Sequence, residues 1–273
     1  MKAIPLKPEI AAILADGRRK RRDSLLTAAA IALVIACAFA YAGGFDSRRY
    51  AGALPTILKL AADAMPPDFS RWREWGRPLL ETLSMSVAGT ALGAAAALPL
   101  GALAARNIVA RTAIGEPVRL FLNALRSIPG LIWGVIWVAA VGFGPLPGIL
   151  ALATHSTGML GKFFAETMEH VDPGPGDALR SQGVSRLGVL RFSVLQQVLP
   201  RLADVIVYRW EHNLRAATTL GVVGAGGLGL EIMTAFHLFE YREASALIIV
   251  LLGLVTAITM IGAAVRRRFL GRS

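Results

Sequence analysis

Three glycines, Gly224, Gly226 and Gly229, have the G-x-G-x-x-G spacing with which Rossmann proteins bind the pyrophosphate of a dinucleotide. That chemistry needs a strand before the glycines, a helix after them and an acidic residue about 20 residues further on. The corresponding region, 247–252, reads LIIVLL and holds no acid. We therefore reject dinucleotide binding. Glycines also permit close helix approach and irregular backbone, so the stretch predicts either tight packing or a hinge beside a path.

Other motifs that carry chemistry are missing from the sequence. Gly161-Lys162 is its one Gly-Lys pair, but Ser156 stands where a P-loop needs its first glycine, and Phe163 follows the lysine. Ser127 and Ser156 have no visible triad partners, and the four histidines lack metal-ligand spacing. A single cysteine excludes an intrachain disulfide. We expect no catalytic residue, metal or cofactor in this chain.

Composition places the chain in a membrane. Of its 273 residues, 55% are hydrophobic and 17% are charged, whereas soluble domains are about 45–50% apolar and about 25% charged. Four long stretches carry no charge apart from His155, namely 25–42, 83–105, 127–157 and 244–265. Such runs are candidate membrane spans. The net charge of +11 fits Lys and Arg clusters at cytoplasmic span ends better than a nucleic-acid surface.

The elements that position these residues are predicted to be six transmembrane helices of an all-α membrane protein. The expected spans are 25–43, 79–104, 117–141, 149–169, 201–222 and 244–265. We expect a basic cytoplasmic tail over 1–24, the first helix with an outer segment over 25–78, and the core over 79–273. A cleaved leader is the alternative for the first span, because Val34-Ile35-Ala36-Cys37 resembles a lipoprotein cleavage box.

The fifth span is the least apolar one. Without it, Arg266–Arg268 would follow the last span on the outer side, against the positive-inside bias. Glu211 lies four residues before Arg215, which predicts an ion pair between them. Membrane charges face a bundle interior or a watery path, so this helix face predicts either a lock between helices or a solute route. Its polar residues recur at steps of three and four: Asp204, Tyr208, Glu211, His212, Arg215 and Thr219.

Residues 172–200 predict a polar inner segment that contains a short amphipathic helix. Two prolines, Pro173 and Pro175, are expected to end the preceding helix, and the short helix is expected to begin at Asp177 and to be interrupted at Gly183. Such a helix is suited to docking on another protein or to lying on anionic lipid. Its apolar side is predicted to consist of Leu179, Leu187 and Leu190, and its basic side of Arg180, Arg186 and Arg191.

Asp177-Ala178-Leu179 and Gly183 resemble the EAA loop of ABC-importer permeases, which reads Glu-Ala-Ala-x-x-x-Gly and is followed by hydrophobic-x-Leu-Pro. The chain departs from that pattern with Asp177 for Glu, Leu179 for the second Ala, and Gln196 where a proline is expected. More narrowly, the sequence resembles the phosphonate-type permeases over roughly residues 75–270. The stretches that carry this resemblance are Arg126-Ser127-Ile128-Pro129 with Trp133, residues 150–162 and residues 213–229.

The resemblance implies a type I ABC importer permease whose EAA-like loop is a coupling helix that fits into the ATP-binding subunit. The implied protein partners are two copies of that subunit, a periplasmic phosphonate-binding protein and a second copy of this chain, with which it forms a homodimer. The chain is also expected to contact the lipid bilayer and to bind no nucleic acid. ATP and Mg would be bound by the partner ATPase subunit, not by this chain. The implied coupling residues are Asp177, Ala178, Leu179, Gly183, Leu187 and Leu190.

The resemblance also implies a multi-pass protein of the bacterial inner membrane with both termini in the cytoplasm. Its expected function is ATP-driven import of phosphonate or a related oxyanion such as phosphite or phosphate, and Arg126, Arg209 and Arg215 suit an anionic solute. The alternatives are a permease of the same fold for another solute, such as methionine, and a stand-alone channel or secondary carrier. The expected path or gate residues are Arg126, Ser127, Arg209, Glu211, Arg215, Gly224, Gly226, Gly227 and Gly229.

Overall fold

A computed structural model describes residues 8–109 and 112–269 of the chain. These residues form twelve α helices and one π-helical turn, and none of them forms a strand. The all-α prediction is confirmed. The helices are α1 (Pro8–Tyr41), α2 (Ser47–Ala51), α3 (Ala53–Asp63), α4 (Gly76–Ala104), α5 (Thr112–Ser127), α6 (Gly130–Val141), α7 (Pro145–Glu169), α8 (Pro173–Ser181), α9 (Arg186–Val189), α10 (Leu195–Gly221), α11 (Gly227–His237) and α12 (Tyr241–Phe269), with the π-helical turn at Leu190–Val194.

Residues 1–62 form one compact unit, of which the structure describes 8–62. The predicted first span lies in α1, whose segment Arg19–Tyr41 is long and apolar enough to cross a membrane. The predicted tail is helical from Pro8 onward, and residues 1–7 lie outside the described residues. In α3 the apolar side chains are exposed, which suits a segment beside lipid. The predicted boundary after residue 78, between the outer segment and the core, stays a prediction.

In the second unit, residues 63–273, small residues bring α4 and α7 into close contact. Gly89, Gly93, Ala97 and Gly101 recur every four residues on α4 and therefore share one helix face. A Cβ atom on Gly93 would lie 2.7 Å from the Cβ of Ser156, and one on Gly101 would lie 2.8 Å from the Cβ of Phe164. In a bilayer, where hydrophobic burial no longer drives helices together, this close packing is a principal source of association.

The predicted third span, 117–141, is not one helix. It breaks between α5 and α6, which meet at an angle of 90°. The physical reason is Pro129, which lacks a backbone N–H and disfavours helical backbone at the preceding residue, Ile128. Pro129 has φ −55° and ψ 142° and stands at the N-cap of α6. The prediction missed this break because it followed hydropathy through the proline.

Length and composition identify three spans among the described helices, Arg19–Tyr41, Gly76–Ala104 and Tyr241–Arg267, or four if the bent pair counts as one. The predicted fourth and fifth spans lie within α7 and α10, with 25 and 27 residues. Both are long enough to cross a hydrocarbon core of about 30 Å at 1.5 Å per residue. The count of six spans stays a prediction.

The segment before α4 is tied to the start of α12. The guanidinium of Arg71 pairs with Glu74 at 2.6 Å and with Glu243 at 3.1 Å, and the Trp75 indole donates to Glu243 at 3.3 Å. The hydrogen bond and charge of Arg71 lower the pKa of Glu74 below its ordinary value. The backbone N–H of Asp68 donates to the carbonyl of Arg242 at 2.9 Å. These contacts fix the starts of α4 and α12 relative to each other.

We expect Gly93→Ala to destabilise the protein by about 1–3 kcal/mol, because the new methyl group overpacks the contact with α7. Gly253→Ala is the matched control, since a Cβ atom there meets no atom within 4 Å. It should stabilise α12 by about 0.5–1 kcal/mol through reduced backbone freedom. Thermal unfolding of both variants in detergent measures the difference. Equal midpoints would contradict the role of Gly93 in packing.

Candidate functional site

Polar side chains from three helices meet halfway along α4, α7 and α10. The Asn213 amide donates to Thr90 Oγ1 at 2.8 Å and to Ser156 Oγ at 2.9 Å. The Arg209 guanidinium donates from Nε to the same Ser156 oxygen at 3.0 Å. All four residues are buried. We call Thr90, Ser156, Arg209 and Asn213 the polar layer; at this depth no water competes for its hydrogen bonds, so they fix the three helices relative to one another.

The polar layer is incompletely satisfied. Among the described residues, three buried side-chain atoms have no hydrogen-bond partner: His155 Nδ1, Arg209 Nη2 and Asn213 Oδ1. Two of these atoms belong to residues of the polar layer, Arg209 and Asn213. The third belongs to His155, which precedes Ser156 in the sequence. A buried polar group without a partner typically costs about 1–3 kcal/mol. Such a concentration of unsatisfied groups at one depth marks a candidate site.

An exposed polar face runs along α10 beside the polar layer. Tyr208, His212, Arg215 and Thr219 are exposed and follow one another at steps of four, three and four residues. Arg209, one of the predicted path residues, is only 6% exposed and belongs to the polar layer, and its role on a path stays a prediction. A polar face cannot rest against lipid tails without cost, so it requires a protein surface or a watery cavity opposite it.

The predicted ion pair of Glu211 with Arg215 is wrong. Glu211 faces α12, where Arg266 donates from Nη1 to its Oε1 at 2.6 Å. Gly262 makes the room for this carboxylate, because a Cβ atom there would collide with it. Arg215 stays exposed on the other side of α10. Glu211 thus joins α10 to α12. This is the lock between helices that was one of the two alternatives for the polar face of the fifth span.

The glycine-rich stretch is a tight connection between α10 and α11. Gly224, Gly226 and Gly227 have φ values of +92°, +82° and +72°, which residues with a side chain rarely adopt. A Cβ atom on Gly229 would collide with the carbonyl oxygen of Thr218, so the two helices cross there in backbone contact. The glycines are therefore explained by backbone conformation and packing, and their role as a gate stays a prediction.

Two residues at the start of α4 cap α11. The backbone N–H of Gly227 donates to Glu81 Oε2 at 3.0 Å, and that of Leu228 donates to Thr82 Oγ1 at 2.9 Å. Glu81 also accepts from Arg77 at 3.0 Å. A carboxylate at a helix N-terminus is favourable because it satisfies free amides and the helix dipole. The sequence analysis missed both residues, which lie about 145 residues away along the chain and carry no local capping signal.

The two remaining predicted path residues, Arg126 and Ser127, form the last turn of α5 and are exposed. Ser127 Oγ donates to the Asn123 carbonyl of its own helix at 2.8 Å. The end of α5 packs on α7 at Gly158, where a Cβ atom would lie 2.8 Å from the backbone nitrogen of Arg126. Both residues thus stand directly before the break between α5 and α6.

The predicted short helix of the inner segment exists but starts earlier than expected. α7 ends at Glu169, and α8 begins at Pro173, whose missing N–H is harmless in the first turn. Asp172 is the N-cap and accepts from Gly174 N–H at 2.9 Å. Asp177 lies inside α8 and pairs with Arg180 at 2.6 Å. The prediction chose the wrong acid because it assigned both prolines to the preceding helix.

Gly183 ends α8, as predicted. It has φ +78°, its N–H donates to the Arg180 carbonyl at 3.0 Å, and the Val184 N–H donates to the Leu179 carbonyl at 3.1 Å. This is the Schellman pattern. Of the three leucines predicted to form the apolar side, Leu187 is 74% exposed, whereas Leu179 and Leu190 are half-buried. Asp177 and Ala178 are exposed, so the segment presents a mixed surface.

Gln197 joins this segment to α10, and the sequence analysis missed it. Its Nε2 donates to the Asp172 carbonyl at 3.2 Å, and its Oε1 accepts from the Asp172 N–H at 3.1 Å. The amide therefore holds both backbone groups of the residue that caps α8. Gln196, at the expected proline position, is also exposed, but the Asp172 backbone bonds to Gln197 and not to Gln196. No sequence signal separates the two glutamines, because the π-helical turn before α10 sets which one faces α8.

An open cavity of about 760 Å³ lies beside this junction, between α7, α10 and α12. It continues the exposed face of α10, since Asp204 and Tyr208 line it. The lining of the cavity also includes the charged or polar residues Glu166, Asp172, Gln197, Arg201 and Arg266.

Comparison with known proteins decides the family. The family of binding-protein-dependent transport system inner membrane components matches residues 97–272, which is more than half of the chain. The chain belongs to this family. It is therefore a transport-system component of the inner membrane, and the prediction of a permease rather than an enzyme is confirmed.

Relatives within the family indicate which kind of transport system this chain resembles. The phosphite transport system permease protein PtxC of Stutzerimonas stutzeri is 48% identical over 236 residues, which cover 86% of each chain. The phosphate-import permease protein PhnE of Mycolicibacterium smegmatis is 40% identical over 217 residues, which cover 80% of this chain and 41% of that protein. The predicted resemblance to phosphonate-type permeases is confirmed.

Solved structures confirm the fold of this binding-protein-dependent permease. An inward-facing structure of the MetNI methionine ABC transporter matches with a TM-score of 0.63 and 22% identity, over 71% of this chain and 95% of that chain. At this identity the likeness shows the fold alone. The predicted type I ABC permease architecture is thereby confirmed.

We expect Glu211→Gln and Arg266→Gln each to destabilise the permease by about 2 kcal/mol, since the pair is only partly shielded from solvent. The double variant should lose clearly less than the sum, because the first change already removes the ion pair. Arg215→Gln combined with Glu211→Gln is the matched control and should be additive. Thermal unfolding in detergent measures these effects, and additivity of the Glu211 and Arg266 variants would contradict the pairing.

Proposed function

We propose that this permease imports a phosphorus oxyanion, phosphonate, phosphite or phosphate, across the bacterial inner membrane with energy from ATP hydrolysis on a separate subunit. The observation that carries the proposal is the 48% identity with a phosphite permease over 86% of both chains. The cations of the helix bundle support it. Arg126 and Arg215 are exposed at the α5–α6 break and on the polar face of α10. They suit an anionic solute.

The assembly we infer has two copies of this chain, two copies of an ATP-binding subunit and one periplasmic phosphonate-binding protein. The exposed polar face of α10 supports a second copy, since Tyr208, His212, Arg215 and Thr219 need a polar environment inside the membrane. Two such faces opposite each other would enclose a polar route along the dimer axis. ATP and Mg would be bound by the partner subunit.

In the proposed mechanism, α8 acts as the coupling helix. Its exposed residues Asp177 and Ala178, with Leu187 beyond it, offer a mixed surface for a cleft in the ATP-binding subunit. Closure of the ATPase dimer would move α8, and the Gln197 amide would pass that movement to α10. Because α10 carries the polar face, its movement would alternate access to the route. The glycine connection at Gly224–Gly227 would form the outer gate.

We place both termini in the cytoplasm. Basic residues cluster at Arg18–Arg22 before the apolar part of α1 and at Arg266–Arg268 near the end of α12. Such clusters mark the cytoplasmic ends of spans. The methionine alternative has weaker support, since the methionine transporter structure matches at 22% identity and so informs on the fold alone. A stand-alone carrier would not need a coupling helix.

The test is purification of the tagged permease from its native membrane in mild detergent, followed by mass spectrometry and by titration of the binding protein that accompanies it. We expect an ATP-binding subunit and a binding protein that takes up phosphite, phosphate or a phosphonate. A binding protein that prefers methionine would overturn the solute. A chain that purifies alone, while a known ABC importer keeps its ATPase in parallel, would overturn the assembly.

The coupling role of Gln197 gives a separate prediction. Gln197→Leu removes both hydrogen bonds to Asp172, so solute imported per ATP hydrolysed in proteoliposomes should fall severalfold while ATP hydrolysis continues. Gln196→Leu is the matched control, because the Asp172 backbone bonds to the Gln197 amide and not to the Gln196 amide. It should leave the ratio unchanged. Equal ratios of import to ATP hydrolysis in the two variants would contradict the coupling role of Gln197.

A further inference from the structure

Arg209 is a buried cation without a counter-charge. It is 6% exposed, its Nε is bound to the neutral Ser156, and its Nη2 has no partner among the described residues. Its other neighbour in the polar layer, Asn213, is neutral as well. A guanidinium in the middle of a membrane is costly unless an anion lies beside it. The chain itself places no carboxylate there within the described residues, which leaves the charge for a mobile anion.

His155 extends this cluster toward α6. It precedes Ser156 on α7, and its Nδ1 is buried without a partner in the described chain. A Cβ atom built on Gly130, the first residue of α6, would lie 3.9 Å from the His155 ring carbon Cδ2. His155 thus lies beside the start of α6 and next in the sequence to Ser156, which accepts from Arg209.

The start of α6 is itself favourable for an anion. The helix has 12 residues, and its N-cap is Pro129, which offers no side-chain acceptor to the first amides. The first amides of a helix lack intrahelical partners and stand at the positive end of its dipole. Because α5 and α6 meet at 90°, this terminus opens inside an apolar stretch rather than at a loop. Half-helix N-termini of broken spans face anionic solute groups in several transporter folds.

We propose that Arg209, His155 and the N-terminus of α6 form a binding site for a tetrahedral oxyanion within the permease, through which the solute passes. This assignment rests on the proposed function. Arg209 Nη2 and the amides of Gly130 and Leu131 donate to the anion oxygens, and the His155 ring borders the site at Gly130. The unpaired Asn213 Oδ1 accepts from an oxygen that keeps its proton, as in monoanionic phosphite or phosphate.

The site is closed in the present conformation, because its three unpaired atoms are all shielded from solvent. It opens when α6 moves relative to α7, and the break at Ile128 and Pro129 is the place where the backbone can bend. An unpaired cation that is buried in the resting protein destabilises that state. The anion relieves this cost, so binding favours the conformation in which the site is formed.

The experiment uses the permease–ATPase complex without binding protein, in nanodiscs, and measures bound ³²P-phosphate by equilibrium dialysis with phosphite as competitor. Arg209→Gln should weaken anion binding by roughly tenfold or more, the usual effect of losing a charged hydrogen bond. Arg209→Lys should keep part of the binding. Arg106→Gln is the matched control, since that arginine is exposed in the α4–α5 loop, and it should bind as the unchanged protein does.

Thermal unfolding separates a binding role from a structural one. Arg209→Gln removes the unpaired buried charge together with the Nε bond to Ser156, and the cost of the charge is the larger of the two; the unfolding midpoint should therefore be equal or higher, while uptake by the complete transporter falls. A lower midpoint with a parallel loss of folded protein, unchanged phosphate binding, or no phosphate binding by the unchanged complex would each overturn the site. Uptake distinguishes the two proposals: an unchanged transporter that imports no phosphorus oxyanion refutes the proposed function, whereas equal import by Arg209→Gln refutes this site alone.

Discussion

The hydrogen bonds of Asn213 set the frame on which the rest of this permease depends. One amide joins Thr90 of α4 to Ser156 of α7, and both meet α10 at half its length. In lipid, hydrophobic burial contributes little to association between helices, so polar bonds and close packing carry it. The glycines of α4 bring the backbones near enough for these short side chains to reach one another. The polar layer and the glycine face are therefore parts of a single constraint.

This frame divides the second unit into parts with different freedom. α4, α7 and α10 are joined at their midpoints, and Glu211 with Arg266 adds α12. α6 packs on α10 where Gly134 meets Leu220 and is bonded to α7 by Trp137 Nε1, which donates to Thr154 Oγ1 at 3.1 Å; its backbone is interrupted before Gly130. The Gln197 amide links the other end of α10 to α8 through backbone atoms. α8 is thus linked to the joined helices through α10.

The sequence predicted the features that depend on local patterns. The membrane class, the helical inner segment, its end at Gly183 and the polar face of α10 follow from composition, glycine and helical periodicity. Features that depend on distant partners could not be predicted. Glu211 has two possible arginine partners, and only the space left by Gly262 selects Arg266. Two signals were present but unused: the glycines every four residues on α4, and Pro129 within an otherwise apolar run.

The shortness of α6 has a consequence for the surrounding lipid. With 12 residues the helix is about 18 Å long, against a hydrocarbon core of about 30 Å. Its apolar side chains Leu131, Ile132, Val135 and Ile136 are exposed on that short length. If α6 faces lipid over this length, the bilayer thins beside it or flanking residues extend toward the membrane surface, at a cost that grows with mismatch. Acyl-chain length would thus bias where this helix rests, so the thickness of the host membrane becomes one of the variables that tune the transporter.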